Sequence, residues 1–211
     1  MKKLTLTMIA CLVLLPGLAL GKAPACDQIA EQVDYIQSIA VGDQRILDVG
    51  IFRVQIPLKN VSQLGLTSEG HLQVFYAKGE VLTLRTHLVV DEFLHWTARK
   101  PTKGKITTAD WADITFTKTA CDKGPLEPVD AKRWKRAIYE KGLYFDNATE
   151  VIKTQSGELT YYLSNDSHQG YTGHAFITHS TYKTTTLIMT SVGIPYKEFK
   201  RIVLNITQRK P

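Results

Sequence analysis

The chain predicts an α+β domain built on a mostly antiparallel sheet of about six strands. Runs with the two-residue alternation of β-strands follow one another through turns along much of the sequence. Segments with helical spacing stand near its start, its middle and its end. With no internal repeat or low-complexity tract between them, these elements predict one domain whose N-terminal, central and C-terminal helices cover the sheet.

The first residues have the pattern of a bacterial secretory signal peptide. Two lysines precede an uncharged run of 17 residues, Leu4 to Leu20, and small residues then mark a cleavage site after Gly21. A retained membrane anchor is the alternative, but a proline and a glycine inside the run disfavour a stable spanning helix. We therefore expect a signal peptide over residues 1–21 and a single exported domain over residues 22–211, periplasmic or, alternatively, secreted.

Charge and hydropathy limit the possible partners of the mature chain. The full chain has 26 basic and 20 acidic residues, and removal of the two leader lysines leaves 24 against 20, a net charge of +4. This mild excess favours anionic surfaces without indicating nucleic acid. No later segment is long and apolar enough to predict a transmembrane helix in the mature chain.

Two cysteines, Cys26 and Cys121, remain after the leader. In an oxidising compartment such a pair predicts a disulfide bond, whereas two buried thiols are the alternative. The bond would close a loop of about 96 residues and stabilise the fold by roughly 4–5 kcal/mol in the chain-entropy account.

The first two elements are predicted from apolar spacing. Ile29, Val33 and Ile36 recur at helical intervals and predict an amphipathic helix over residues 27–39. Residues 45–56 alternate as one strand, whose change of parity at a glycine, residue 50, indicates a bulge.

The next region predicts a hairpin followed by two helix starts. Residues 71–77 and 80–88 form the two strands, and a two-residue loop between them would pair Val74 with Thr83. Asp91 then begins a short helix. Thr107 and Asp110 resemble a capping box at the start of another.

The central part predicts an irregular connection and a basic helix. Glycine and prolines make residues 115–129 irregular, and Asp130 then begins a helix over residues 131–141 that Gly142 ends. We expect Trp134 and Ile138 to form its buried edge, with basic residues around the rest.

The last third predicts three strands, at 159–163, 171–178 and 184–191, and a closing helix after Pro195 with an apolar stripe. An opening helix is followed by a strand Phe52–Pro57, a long hairpin Ala175–Met189 and a closing helix Pro195–Thr207. This order of elements resembles that of PsbP-like α/β/α sandwich domains. That resemblance implies an accessory or binding protein rather than an enzyme.

Catalytic motifs are mostly absent. The chain has no nucleophile elbow, zinc-protease helix, phosphate-binding loop or dinucleotide glycine pattern, and we expect no cofactor. Ser180 and Lys183 match the S-x-x-K spacing of penicillin-binding proteins, in which one helical turn brings the amine to the serine. Here the four residues lie between two predicted strands, so a hairpin turn is the better interpretation.

Two groups of residues are candidates for binding. The first is polar and aromatic and lies around the 171–178 strand, where a metal or acid–base site competes with a solvated loop: Asp166, His168, Tyr171, His174 and Tyr182. The second is the basic side of the central helix, which suits an anionic partner or is simply solvated: Lys132, Arg133, Lys135 and Arg136.

Together these observations predict a periplasmic, non-catalytic binding or accessory protein that acts on a protein or a cell-envelope component, including the immunity type that neutralises envelope-attacking toxins. One alternative is a small envelope hydrolase using His174 or His168 with Asp166. Another is a carrier of a small apolar ligand in a cleft between sheet and helix.

Overall fold

The computed structural model describes residues 29–36, 42–68, 70–87, 104–165 and 170–209. Its strands are β1 (Glu31–Gln32), β2 (Gln44–Val49), β3 (Phe52–Pro57), β4 (Val61–Leu66), β5 (Leu72–Tyr76), β6 (Val81–His87), β7 (Val151–Ser156), β8 (Leu159–Ser164), β9 (Tyr171–His179), β10 (Thr186–Val192) and β11 (Thr207–Gln208). Its helices are α1 (Thr108–Thr117), α2 (Pro128–Glu140), α3 (Gly142–Phe145) and α4 (Tyr196–Leu204).

These elements form an α+β fold, as predicted, around one large sheet and one small sheet. Within the described residues the large sheet has eight strands, in the order β1-β7-β8-β9-β10-β6-β5-β4, rather than about six. All its neighbouring strands are antiparallel except β1 and β7, which are parallel. The small sheet has the order β11-β3-β2.

The large sheet separates two hydrophobic cores. On one face β3 and α4 pack against the sheet, with Phe52 and Phe199 fully buried between the layers. On the other face α1, α2 and α3 cover it, with Trp111 and Phe116 against Phe176. Central strands are therefore buried on both faces and are apolar at successive positions, as parallel and sandwich-core strands also are.

The predicted helix over residues 27–39 is wrong where the structure describes it. Residues 31–32 form β1, and the amide of Val33 donates to the Lys153 carbonyl over 3.0 Å. Val33 and Tyr35 pack on the core, whereas Ile29 and Ile36 are exposed. Pairing with the edge of the large sheet satisfies the backbone here, and it outweighs the local helical spacing.

The predicted single strand over residues 45–56 is also wrong, because it is a hairpin. β2 and β3 pair antiparallel, with Val49 opposite Phe52, and Gly50 occupies the turn with φ of +63°. A chain reversal, rather than a bulge, explains why the buried positions change parity at Gly50.

The β5–β6 hairpin is confirmed, but its register differs by one residue. Val74 lies opposite Leu82 rather than Thr83, because the amide of Tyr76 donates to the Glu80 carbonyl and three residues form the loop. The short helix expected after Asp91 lies outside the described residues.

The helix boundaries in the centre are partly as predicted. Thr107 and Asp110 form a reciprocal capping box at the start of α1. Asp130 does not begin α2: that helix starts at Pro128, whose fixed φ suits a first helical position. Gly142 does not end the helical path either, because α3 follows directly on a helical Lys141. The expected irregular connection is confined to residues between α1 and α2.

The last third follows the prediction closely. β8, β9 and β10 coincide with the three expected strands to within two residues. α4 begins after Pro195, and Phe199, Ile202 and Val203 form a buried stripe on the large sheet.

Candidate functional site

Two of the predicted site residues meet on β9. The rings of Tyr171 and His174 lie 4.8 Å apart between centroids, and the Tyr144 ring approaches His174 edge-on at 5.4 Å. His174 is 9% exposed. Asp166 and His168, which we expected beside it, lie outside the described residues.

The surroundings of His174 are those of a packed histidine. Tyr144 is half-buried, and the desolvation of its hydroxyl, reinforced by the charge of Glu140, raises the pKa of Tyr144 above its usual range. The Ser164 hydroxyl donates a hydrogen bond to the Tyr144 carbonyl and fixes this edge of the sheet against α3. Two aromatic rings thus cover the imidazole at the margin of the second core.

Tyr182 lies apart from these residues, in the turn between β9 and β10. Its side chain is half exposed, and its ring lies 4.9 Å from that of the buried His179. The His179 Nδ1 atom accepts hydrogen bonds from the amides of Thr181 and Tyr182 over 3.1 and 3.3 Å. The S-x-x-K segment is therefore a turn held by an imidazole, without the helical turn that nucleophile chemistry needs.

The basic residues of α2 divide into buried and exposed members. Arg133 is buried, so the exposure that we expected for it is wrong. Its guanidinium lies 3.8 Å from the Asp130 carboxylate and donates to the Ile106 carbonyl. Asp130 also accepts the amides of Lys105 and Ile106, so a polar network holds the segment before α1 against α2.

The exposed members of α2 border a groove of about 330 Å³. Trp134 and Ile138, predicted to be buried, are half-buried along it, and Lys135 stands at its rim. The opposite wall is the connection after α1. There the Gly124 backbone packs so closely on the indole that a β-carbon at Gly124 would lie 2.8 Å from Trp134 Cδ1.

Large apolar side chains stand exposed beside this groove. Leu126 is 98% exposed, and Tyr139, with the Arg136 guanidinium 5.3 Å from its ring centre, is 76% exposed. Leu126 follows Pro125 and Tyr139 follows Ile138, two residues that line the groove, and exposed apolar patches mark interaction sites on folded proteins. We name the groove and its flank the α2 surface, which comprises Ala120, Asp122, Gly124, Pro125, Leu126, Ala131, Lys132, Trp134, Lys135, Arg136, Ile138 and Tyr139.

The α2 surface lies in a basic part of the chain. Residues 118–141 contain seven basic and four acidic residues, an excess of three within 24 positions. The Asp130–Arg133 and Arg136–Glu140 ion pairs neutralise part of this charge. Lys132 and Lys135 are exposed on the helix, and Lys135 lines the groove together with the carboxylate of Asp122.

Sequence reasoning missed the groove and its exposed aromatic and leucine residues. The signal in the sequence was Leu126, an apolar residue between two prolines in a segment with no strand or helix pattern. Leu126 lies in no helix or strand that would orient its side chain toward a core, so the side chain stays at the surface.

The sequence suggested a disulfide between Cys26 and Cys121 and a possible metal site. Cys121 is disulfide-bonded, but Cys26 lies outside the described residues, so their pairing stays a prediction. Within the described ranges no cluster of three or more histidine, cysteine, aspartate or glutamate side chains has the arrangement of a metal site.

No helix in the described part of the chain is long and apolar enough to cross a membrane. No protein-family model, curated protein or solved structure matches the chain.

Proposed function

We propose that this protein is an exported, non-catalytic binding or accessory protein that binds a protein or cell-envelope partner through the α2 surface. The observation that carries this proposal is a groove lined by Trp134 and Ile138, with Lys135 and Asp122 at its edge. Two strongly exposed apolar side chains, Leu126 and Tyr139, directly follow lining residues in the sequence. Aromatic side chains and charged rims are typical of protein recognition sites.

The charge of the surface favours an acidic partner. Lys132 and Lys135 attract negative charge at long range and raise the rate of encounter. The groove then offers Trp134 and Ile138 as an apolar floor for one side chain of that partner. An immunity-type role, in which an envelope toxin is the partner, fits this combination.

The export part of the proposal depends on the leader pattern of residues 1–21. A periplasmic location, or secretion as the alternative, also suits a disulfide at Cys121, because such bonds persist in oxidising compartments.

Site-specific photo-crosslinking in the producing bacterium tests the proposal. A photoreactive amino acid is placed at Leu126 or Tyr139, and at Leu66 of β4, which is 76% exposed, as the matched control. We expect the same crosslinked product from positions 126 and 139 and none from position 66.

Charge reversal then tests the basic flank. Lys132→Glu with Lys135→Glu should abolish the product, because the two glutamates repel an acidic partner. The control, Lys78→Glu with Lys197→Glu, changes net charge equally at exposed positions outside the surface and should leave the product unchanged. A product that forms only from position 66, or that survives charge reversal on α2, contradicts the proposal.

The hydrolase alternative now centres on His174, whose ring is covered by tyrosines. Screening ester, peptide and glycan substrates with the protein and its His174→Ala variant tests this hypothesis. Hydrolysis that disappears in the variant would favour it over a binding protein.

A further inference from the structure

The small sheet has an open edge at β2. Within the described residues β2 pairs only with β3, so the backbone groups on its other side have no strand beside them. Such an edge is a template for another strand, and folded proteins usually shorten it, bend it or cover it.

The other edges of the two sheets are protected in this way. β1 and β11 have two residues each. β4 has six, but its register with β5 shifts between Val61 and Gln63, and such a bulge twists an edge away from a further strand. β2 also has six residues, and its register with β3 is unbroken from Gln44 to Val49. Among the described strands, β2 is thus the edge that is both long and regular.

The hydrogen bonds to β3 show which backbone groups of β2 face outward. The amide of Leu58 donates to the Asp43 carbonyl over 2.9 Å, directly before β2 begins. Alternate residues of an antiparallel ladder turn their backbone groups to the same side. The amides and carbonyls of Gln44, Ile46 and Asp48 therefore point to the open side. They have no backbone hydrogen-bond partner in the described part of the chain.

The side chains of β2 also divide between two faces. Leu47 and Val49 pack on the core around Phe52, so the opposite face of the strand is in solvent. Ile46 lies in the middle of that face and is 55% exposed. A β-branched apolar residue here favours strand pairing, whereas a protected edge typically carries lysine or proline at such a position.

The open side of β2 is complementary to itself. When a second copy of β2 runs antiparallel with Ile46 opposite Ile46, Gln44 of each copy lies opposite Asp48 of the other. All three outward-facing residues of each strand are then paired, which gives about six backbone hydrogen bonds. A shift by two residues would leave one of them unpaired and place a carboxylate opposite Ile46.

The charges at the edge suit this register. The Asp48 carboxylate is paired with the Arg53 guanidinium at 3.1 Å and lies 3.7 Å from that of Arg209. Across the strand pair it would face the neutral Gln44 carboxamide, which can donate a hydrogen bond to it. The two Asp48 residues would lie roughly 13 Å apart along the strands, so no like charges oppose each other.

We propose that this protein forms a symmetric homodimer by antiparallel pairing of β2 with β2 of a second copy, with Ile46 on the two-fold axis. The two small sheets then form one continuous sheet. The contact is one strand from each copy, so we expect a dissociation constant between about 10 µM and 1 mM, as for small transient interfaces. β2 shares no residue with the α2 surface, so the dimer is independent of the proposed partner.

Sedimentation velocity of the mature protein tests the proposal. The average mass should rise from one chain toward two as the concentration increases from about 10 µM to 1 mM. Ile46→Lys and Ile46→Glu should each remain monomeric, because like charges then meet on the axis. An equimolar mixture of the two variants should dimerise again, because opposite charges then meet.

A pair of proline variants tests the backbone bonds. Ile46→Pro removes an amide on the open side, so it should abolish dimerisation and leave the circular dichroism spectrum unchanged. Leu47→Pro removes an amide that bonds to β3, so it should destabilise the fold itself. A wild type that is monomeric at about 1 mM, a mixture of the charged variants that stays monomeric, or a dimer that survives Ile46→Pro would overturn the proposal.

Discussion

Gly124 and Trp134 are in direct contact, because the glycine backbone lies where any β-carbon would collide with the indole at 2.8 Å. Gly124→Ala should therefore push the connection away from α2 and destabilise the protein by about 1–3 kcal/mol, the cost of overpacking. Urea unfolding gives the change in free energy, and tryptophan fluorescence reports the altered environment of Trp134.

A double-mutant cycle provides the control for this contact. Trp134→Leu removes the atoms with which the new methyl group collides, so Gly124→Ala should cost clearly less in that background. Equal costs in both backgrounds would show that the indole is not the obstacle.

Arg133 stabilises the fold and does not contribute to the α2 surface. Arg133→Ala leaves the buried Asp130 carboxylate without its counter-ion, so we expect a loss of about 3–5 kcal/mol in the free energy of unfolding. Lys135→Ala, two positions away and exposed, should change stability by no more than about 0.5 kcal/mol. Chemical denaturation of both variants measures the contrast, and similar stabilities would refute the assignment.

The hydroxyl of Tyr161 holds the end of α4 to the large sheet. Tyr161→Phe leaves the Ile206 carbonyl buried without its donor, which should cost about 1–3 kcal/mol. Tyr35→Phe removes the neighbouring bond to Leu204 at a partly exposed position, where water replaces the donor, so it should cost less. Thermal unfolding of the two variants measures which substitution destabilises the protein more.

Lys141 should make stability depend on alkaline pH. Burial lowers the pKa of Lys141 to about 8 from 10.5, although the charge of Asp122 opposes this effect. Between these two values the unfolded chain binds more protons than the folded protein, so the free energy of unfolding rises with pH.

Lys141→Met lacks the titrating group and serves as the reference. The stability of the wild type relative to this variant should be constant below pH 8 and rise from pH 8 to 9.5. Urea unfolding at fixed ionic strength measures the difference at each pH, and a flat difference would contradict the lowered pKa.

The elements that the sequence predicts well are those whose signals are local. The capping box of Thr107 and Asp110 begins α1, and Pro195 precedes α4 with its apolar stripe. Each of these signals acts within one or two turns of chain, so no distant contact is needed to interpret it.

The elements that the sequence predicts poorly depend on distant partners. Glu31 and Gln32 join the large sheet because β7, more than 100 residues away, offers an open edge. An arginine is ordinarily exposed. Arg133 is buried because its guanidinium forms an ion pair with Asp130 and donates a hydrogen bond to the Ile106 carbonyl.

The candidate site was only partly predictable for the same reason. The basic side of α2 can be predicted from Lys132 and Lys135, because charge on a helix is a local property of the sequence. The groove beside it forms only when the Gly124 connection folds back onto Trp134.

The pairing of β11 with β3 and the bond from Tyr35 to the Leu204 carbonyl have a consequence for biosynthesis. The layer around Phe52 cannot close until Leu204 and β11 have left the ribosome. The first half of the chain therefore completes its fold only after these residues are synthesised, and a chain cut before them would expose its apolar face to proteases.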